Sequence, residues 1–484
     1  MTRPARQPLT TIDANPARAA AQHKADLARS LRLSTAEGIM AMPIVTMSLP
    51  VNVFMSALVV FAFPLSNATI GLMSALPFAG NFLQVLVTPL LARHRPPKQL
   101  TIAAAWCHWA CWVALGVFLP ALPRDNPGVA GHWLVAWFLL ASCCSAIAGV
   151  TWNEWIQEWV PVRLRGKFFG RRNGILQLST LTFLLVAGGA LAYGDYALRV
   201  FQAIIAGAVA MRIFSLRWQW ISPTRRRRKR GEGTAAPHPP RPIREQLRVV
   251  LHSPSLLGFI AFGAVWSFAA NCFGPFYTVF MLERLGFSTW NVSLVNALSL
   301  LGGALSLPAW GLLLDRYGNK SVMAFSLLLW QAQNFAWCFL TPENRALLYP
   351  MWLWGGVTGA GFVLGQFTIL LRLIPVEAKS LAIGVNLAAT SLAAALAPVV
   401  GGVVLNAALH RWPDALAVYH VCFLVQPVIA LAGSALLLRV HEPQASPLTM
   451  VFGAMRNIRT LSGVLGLEFL VNYIFYRAPK DRER

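Results

Sequence analysis

Gly311-Leu312-Leu313-Leu314-Asp315-Arg316-Tyr317-Gly318-Asn319-Lys320 decides how this chain is read. A long apolar run enters the stretch from Thr289, and another leaves it from Ser321. The residues between them are too few for a domain and too charged for lipid. Two membrane helices must therefore meet here in a tight turn. Gly318 supplies a backbone conformation that a residue with a Cβ adopts only at a cost.

The rest of the chain repeats that pattern. Of its 484 residues, 56% are hydrophobic and 12% charged, a balance that excludes an ordinary soluble domain. A net charge of +23 would suit nucleic acid, but the basic residues lie between apolar runs rather than on one face. The 7 Cys all fall inside apolar runs, so they read as small packing residues with no disulfide framework. Cys107 and Cys111 lack a His or carboxylate in a ligand pattern, and no metal site or cofactor is expected. Runs long enough for a bilayer core of about 30 Å occur near 36–62, 67–92, 100–122, 132–159, 173–193 and 197–219. Six more follow near 255–282, 290–314, 320–340, 347–373, 379–407 and 415–438. Residues 1–33 are polar and basic and read as a tail. Residues 222–254 carry Arg225 to Arg230 and then four prolines, which reads as a flexible basic linker attracted to anionic headgroups. The segment 441–484 reads as a second tail with an interfacial helix near Leu461 to Tyr476.

The spacing Gly-x-x-x-Asp-Arg-x-Gly-x-Lys between two spans resembles the signature loop of the major facilitator superfamily of secondary transporters. That resemblance implies an all-α membrane protein with twelve transmembrane helices in two six-helix bundles, here 34–221 and 255–440, with solute bound between them. An internal repeat agrees with it. Val160-Pro161-Val162 corresponds to Ile374-Pro375-Val376, Arg165 to Lys379, Gly188 to Gly402, Gly80 to Gly302 and Lys98 to Lys320. With the N-terminus inside, Arg124, Arg199, Arg284, Arg345 and Arg411 are the only outer ones among 41 Lys and Arg. Both termini are then cytoplasmic, in a multi-pass protein of the inner or plasma membrane.

The chemistry expected is binding, not catalysis. No phosphate loop of the Gly-rich, Lys-Ser/Thr type and no Gly-x-Ser-x-Gly occur, so neither an ATP-driven pump nor a nucleophilic enzyme is expected. Polar residues deep in the apolar runs are the candidate cavity lining: Asn52, Asn81, Gln84, Asn271, Asn296, Gln366 and Asn386, with Trp152 opposite Gln366 by the repeat. Interhelical packing is the alternative use of such amides. With no charge assigned to mid-depth, this lining suits a neutral or weakly polar organic solute better than a dianion. Glu37 and Glu154 are candidates for carrying a coupling proton. Glu37 also fits a capping box with Ser34 at a helix start.

Gating is assigned from the resemblance. Asp315, Arg316, Gly318 and Lys320 form the signature loop, and Asp315 would meet the Arg163–Arg172 region, Arg163 and Arg165 foremost, at the positive N-terminus of span five in the other half. The first half departs from the pattern, placing Arg93 where the repeat has Asp315. Arg93 would then meet Glu377, the same latch with its signs exchanged; the alternative is that Arg93 is simply one of the positive residues of the cytoplasmic side. The expected function is alternating-access transport of a small organic solute by a monomer in a lipid bilayer, with no nucleic-acid partner. A non-transporting sensor or assembly factor, or a lipid flippase, is the alternative.

Overall fold

The ends of the helices stand where capping chemistry puts them. Asn126, Ser288 and Asp414 each accept the backbone N–H three residues on, and Pro97, Pro127 and Pro254 occupy first helical positions. The structure is a computed structural model that describes residues 16–49, 52–92, 95–222, 243–442 and 446–455. Among the described residues the regular structure is entirely helical.

The first half holds span 1 (Pro16–Met47 and Val53–Ala62), span 2 (Asn67–Ala92), span 3 (Pro97–Ala121), span 4 (Pro127–Trp159), span 5 (Val162–Tyr193) and span 6 (Leu198–Ile221). The second holds span 7 (Pro254–Glu283), span 8 (Thr289–Tyr317), span 9 (Asn319–Asn334 and Phe335–Phe339), span 10 (Leu348–Leu373), span 11 (Lys379–Arg411) and span 12 (Ala415–Ser434 and Ala435–Arg439). Nine of these are long and apolar enough to cross a bilayer by length and composition. Spans 1, 2 and 9 complete the two sixes.

The repeat is visible as matched detail. Span 1 breaks after Met47 and restarts at Val53, with Asn52 as the cap. Span 7 breaks at the corresponding place, at Phe273, and restarts at Gly274. Lys98 at the head of span 3 donates to the carbonyls of Trp220 (3.0 Å) and Ser222 (2.7 Å) at the foot of span 6. Lys320 at the head of span 9 donates to Val440 O (2.9 Å) beyond the foot of span 12. In both halves the same cation satisfies carbonyls that a helix leaves without partners. Lys320 thus fastens its own half together, where the signature loop implied a gate.

The two halves meet at the end remote from the Gly318 turn. Thr289 Oγ1 donates to Gly188 O (2.7 Å), Ser293 Oγ to Leu184 O (2.8 Å), and Thr289 N to the Tyr196 hydroxyl (3.3 Å). A Cβ on Gly71 would collide with Pro398 O, and one on Gly402 would sit 2.5 Å from Asn67 O. Spans 2 and 11 are therefore held at a separation that only glycine allows. Replacing Gly402 with Leu should cost about 1–3 kcal/mol through overpacking against backbone that cannot yield. Thermal unfolding of the purified variant checks this, and a wild-type melting temperature would contradict it.

At the Gly318 end the sequence reading needs correction. Gly318 does adopt φ 89°, as the turn requires. Residues 243–251, assigned to the linker, instead form a helix whose Val250 is fully buried against Leu256, Ile260 and Ile374. Its alternation of Arg244, Arg248 and Val249, Val250 packs one face on the junction of spans 10 and 11. Beyond span 12 the chain crosses beneath the turn: Ser446 N donates to Tyr317 O (2.9 Å), and Ser321 Oγ donates to Ser446 O. Helix Leu448–Met455 then buries Val451 among Trp310, Leu313 and Val322. The interfacial helix expected at 461–476 lies outside the described residues.

Candidate functional site: a charge cluster beside a cavity

Span 1 does not begin at Ser34, so Glu37 caps nothing. The helix already runs from Pro16, and Glu37 is 4% exposed inside the first half. Arg172 of span 5 and Arg212 of span 6 approach its two oxygens, each at 3.6 Å. Ser215 Oγ (3.1 Å) and Gln219 Nε2 (2.8 Å) donate to Oε1. The carboxylate takes its partners from two other helices, and it ties spans 1, 5 and 6 together. Gly38 makes this approach possible, because a Cβ there would lie 2.6 Å from an Arg172 amino nitrogen.

The arginines are less fully engaged than the acid. Arg172 donates Nε to Ser34 O (3.3 Å) and stacks over Trp152, 4.2 Å from the ring centroid. Arg212 donates to Ser215 Oγ (2.8 Å), and its buried Nε has no partner among the described residues. Arg212 sits nine residues from the end of span 6 at Ile221, about 14 Å along the axis. That is near half the depth of a ~30 Å hydrocarbon layer. Mid-depth therefore does carry charge, contrary to the sequence reading. Two cations there offset one anion.

A cavity of ≈ 230 Å³ lies beside the cluster within the first half. Its walls come from Met42 and Val45 of span 1, Thr101 and His108 of span 3, Gly149 and Trp152 of span 4, and Leu176 of span 5, with Glu37, Arg172, Arg212 and Gln219. The Trp112 indole N–H donates to His108 Nε2 (3.1 Å), which also lies 2.9 Å from Ser48 Oγ. An Nε2 that accepts leaves the ring neutral, with its proton on Nδ1. His108 therefore adds no charge to the count.

Of the residues singled out from sequence, Glu37 and Trp152 line this cavity. Asn52 has a backbone role: its Oδ1 accepts from Met55 N (2.8 Å), and its Nδ2 donates to Met47 O and Leu49 O. Asn271 and Asn296 each donate to the carbonyl four residues earlier, Ser267 O and Val292 O, both at 2.8 Å. Asn386 packs towards Gly263 of span 7. Asn81 and Gln366 are half-buried, and Gln84 lies on the helix of span 2. Glu154 is exposed and makes no ion pair among the described residues. At the Gly318 end Asp315, Arg316 and Glu377 are exposed. Asp315 and Glu377 make no ion pair among the described residues. Arg163 and Arg165 stand in the first turn of span 5, and Arg93 lies outside the described residues. Sequence reasoning missed Arg172, Arg212, His108 and Gln219 as site residues.

The comparisons agree with this architecture. A family model described as Major Facilitator Superfamily matches residues 39–292 and again 264–478. Among solved structures, a mutant of the nucleoside transporter NupG aligns at TM-score 0.64 and 14% identity, covering 85% of this chain and 100% of that one. A bacterial homologue of the iron transporter ferroportin, in an inward-facing state, aligns at TM-score 0.63 and 15% identity, covering 87% and 98%. A bacterial homologue of the lysosomal transporter Spinster, inward-facing and unoccupied, aligns at TM-score 0.59 and 15% identity, covering 86% and 95%. No curated protein matches the sequence.

Proposed function

The chain belongs to the major facilitator superfamily, and on that premise we propose that it is a secondary transporter carrying a small organic solute by alternating access. The observation that carries the reading is the Glu37–Arg172–Arg212 cluster beside a cavity at mid-depth. Ionised groups inside a membrane are expensive to place, and they stand where a transported species passes. The contacts between halves at the end remote from Gly318 support an arrangement closed on that side. The exposed Asp315 and Glu377 support one open at the Gly318 end.

The excess of Lys and Arg at the Gly318 end makes that end cytoplasmic, with both termini and the basic linker. The arrangement is then inward-open, in an inner or plasma membrane. Closing it brings Asp315 towards the first turn of span 5, with Arg163 and Arg165, and Glu377 towards Arg93. Each contact is partly solvated and contributes on the order of 1 kcal/mol, enough to move a balanced equilibrium severalfold. Glu37 is the group on which a coupling proton would sit.

A Cβ at Gly149 meets open space in the cavity wall. In a background without the native Cys, Gly149→Cys should react with an impermeant thiol reagent from the cytoplasmic face of inverted vesicles. In intact cells it should react more slowly by about tenfold or more. Equal slow labelling from both faces, with Glu232→Cys labelled in intact cells, would overturn both the access reading and the orientation.

A further inference from the structure

The charges around the cavity do not balance, and the imbalance has a chemical meaning. Among the described residues its titratable lining is Glu37, Arg172, Arg212 and the neutral His108, one negative against two positive groups. Both arginine side chains are more than nine-tenths buried, at 8% and 6% exposed. Each guanidinium has five N–H donors in a fork shaped for a carboxylate. Among the described residues Arg212 makes a single hydrogen bond, to Ser215, and its buried Nε has no partner. Among the described residues Arg172 makes a single hydrogen bond, to the Ser34 carbonyl. Glu37, by contrast, accepts from Ser215 and Gln219 at Oε1 in addition to its two ion pairs.

A buried cation left without its counter-charge is strongly unfavourable, so the missing partner has to be an anion that enters and leaves. We propose that the transported solute is a small organic monoanion, a carboxylate with an apolar body, whose charged group sits between Arg172 and Arg212. The inference rests on the transport reading above and corrects the neutral solute expected from sequence. A single negative charge brings the lining to neutrality, whereas a dianion would leave the opposite excess. The remaining walls are mainly apolar and favour an apolar body: Met42, Val45 and Leu176 are aliphatic and the Trp152 ring lies beside Arg172, with Thr101, Ser145 and Gln219 as the neutral polar groups.

The test compares matched pairs that differ only in charge. Thermal unfolding of the purified full chain is followed with benzoate and benzamide, hexanoate and hexanamide, and lactate and lactamide. Inorganic phosphate and choline complete the set, at about 10 mM each. At least one carboxylate should raise the melting temperature by about 3 °C or more while its amide does not, since binding to the native state stabilises it by mass action. That shift should vanish in Arg172→Gln and in Arg212→Gln, which corresponds to roughly 100-fold weaker binding. Arg212→Gln leaves Glu37 paired with Arg172, so this variant should fold and keep the result interpretable. Equal shifts with an amide or with choline would overturn the anion, as would carboxylate shifts that survive in both variants. A set in which no carboxylate moves the melting temperature by about 1 °C would also overturn it. Failure of the transport reading shows separately, in the labelling of Gly149→Cys from the two faces.

Discussion

Replacing Glu37 by Leu should lower the stability of the purified protein by about 3–5 kcal/mol, the largest effect expected of any substitution in the chain. The carboxylate is 6% exposed and lies 3.6 Å from Arg172 and from Arg212. Without it, two guanidinium groups remain in the interior of the first half, each with one hydrogen bond among the described residues. Ser215 and Gln219 also lose their acceptor. Glu37→Gln keeps a carbonyl oxygen for those two donors and should cost less, though still more than 1 kcal/mol. Arg212→Leu should behave oppositely. It removes the unbalanced charge and leaves Glu37 with Arg172, so its stability should stay within about 1 kcal/mol of wild type while anion binding is lost. Thermal or denaturant unfolding of the three variants checks the ordering. If Arg212→Leu were as damaging as Glu37→Leu, the cluster would be a structural hub with no charge kept free for a solute.

The second large effect belongs to Glu442. This carboxylate follows span 12 and reaches the head of span 9. Its Oε1 accepts from Asn319 N (3.3 Å), Asn319 Nδ2 (2.8 Å) and Arg372 Nη1 (3.0 Å), and its Oε2 accepts from Lys320 N (2.7 Å). The first N–H groups of a helix have no partners within it, and the positive end of its dipole favours an anion. One side chain therefore ties the foot of span 12 to the head of span 9 and the foot of span 10. Glu442→Ala should cost about 2–4 kcal/mol, since it strips two partly buried backbone donors of a charged acceptor. Glu442→Gln retains the oxygen and loses the charge, and about half that loss is expected. Arg372 is half-exposed, so Arg372→Ala should cost under 1 kcal/mol. A thermal unfolding series that ranks Arg372→Ala above Glu442→Ala would place the energy in the ion pair rather than in the helix head.

The features legible in the sequence were those that repeat or that act locally. Apolar runs, the Gly318 turn and the paired lysines Lys98 and Lys320 are each visible without knowing what lies across the membrane. The charge cluster was hidden because each member has a ready local explanation. Ser34 upstream of Glu37 imitates a capping box, though the helix extends back to Pro16. Arg172 continues a basic string from Arg163, and Arg212 is followed by Arg217 near a helix end. One signal was present: Met211 and Ile213 flank an arginine about 14 Å from the nearest helix end, where a solvated side chain is hard to sustain. The amides misled in the other direction. An Asn within an apolar helix can satisfy itself on the carbonyl one turn back, as Asn271 and Asn296 do. Sequence does not distinguish that use from a cavity wall. Glu442 escaped notice because the first half has Ser222 in the equivalent place before its proline, so the repeat carried no hint of an acid.

Spin-label distances at the two ends of the molecule test alternating access most directly. One pair, Gly170→Cys with Glu377→Cys, spans the halves at the Gly318 end. The other, Tyr193→Cys with Glu343→Cys, spans them at the opposite end. All four positions are exposed. Distances are measured in the wild-type background and with Gly402→Leu, which forces spans 2 and 11 apart where the halves meet. The account predicts opposed changes in the two pairs: in Gly402→Leu the distance at the Gly318 end shortens as the opposite distance lengthens, each by several ångströms, on the order of a domain rearrangement. Distances at both ends that stay fixed, or that lengthen together, would contradict it.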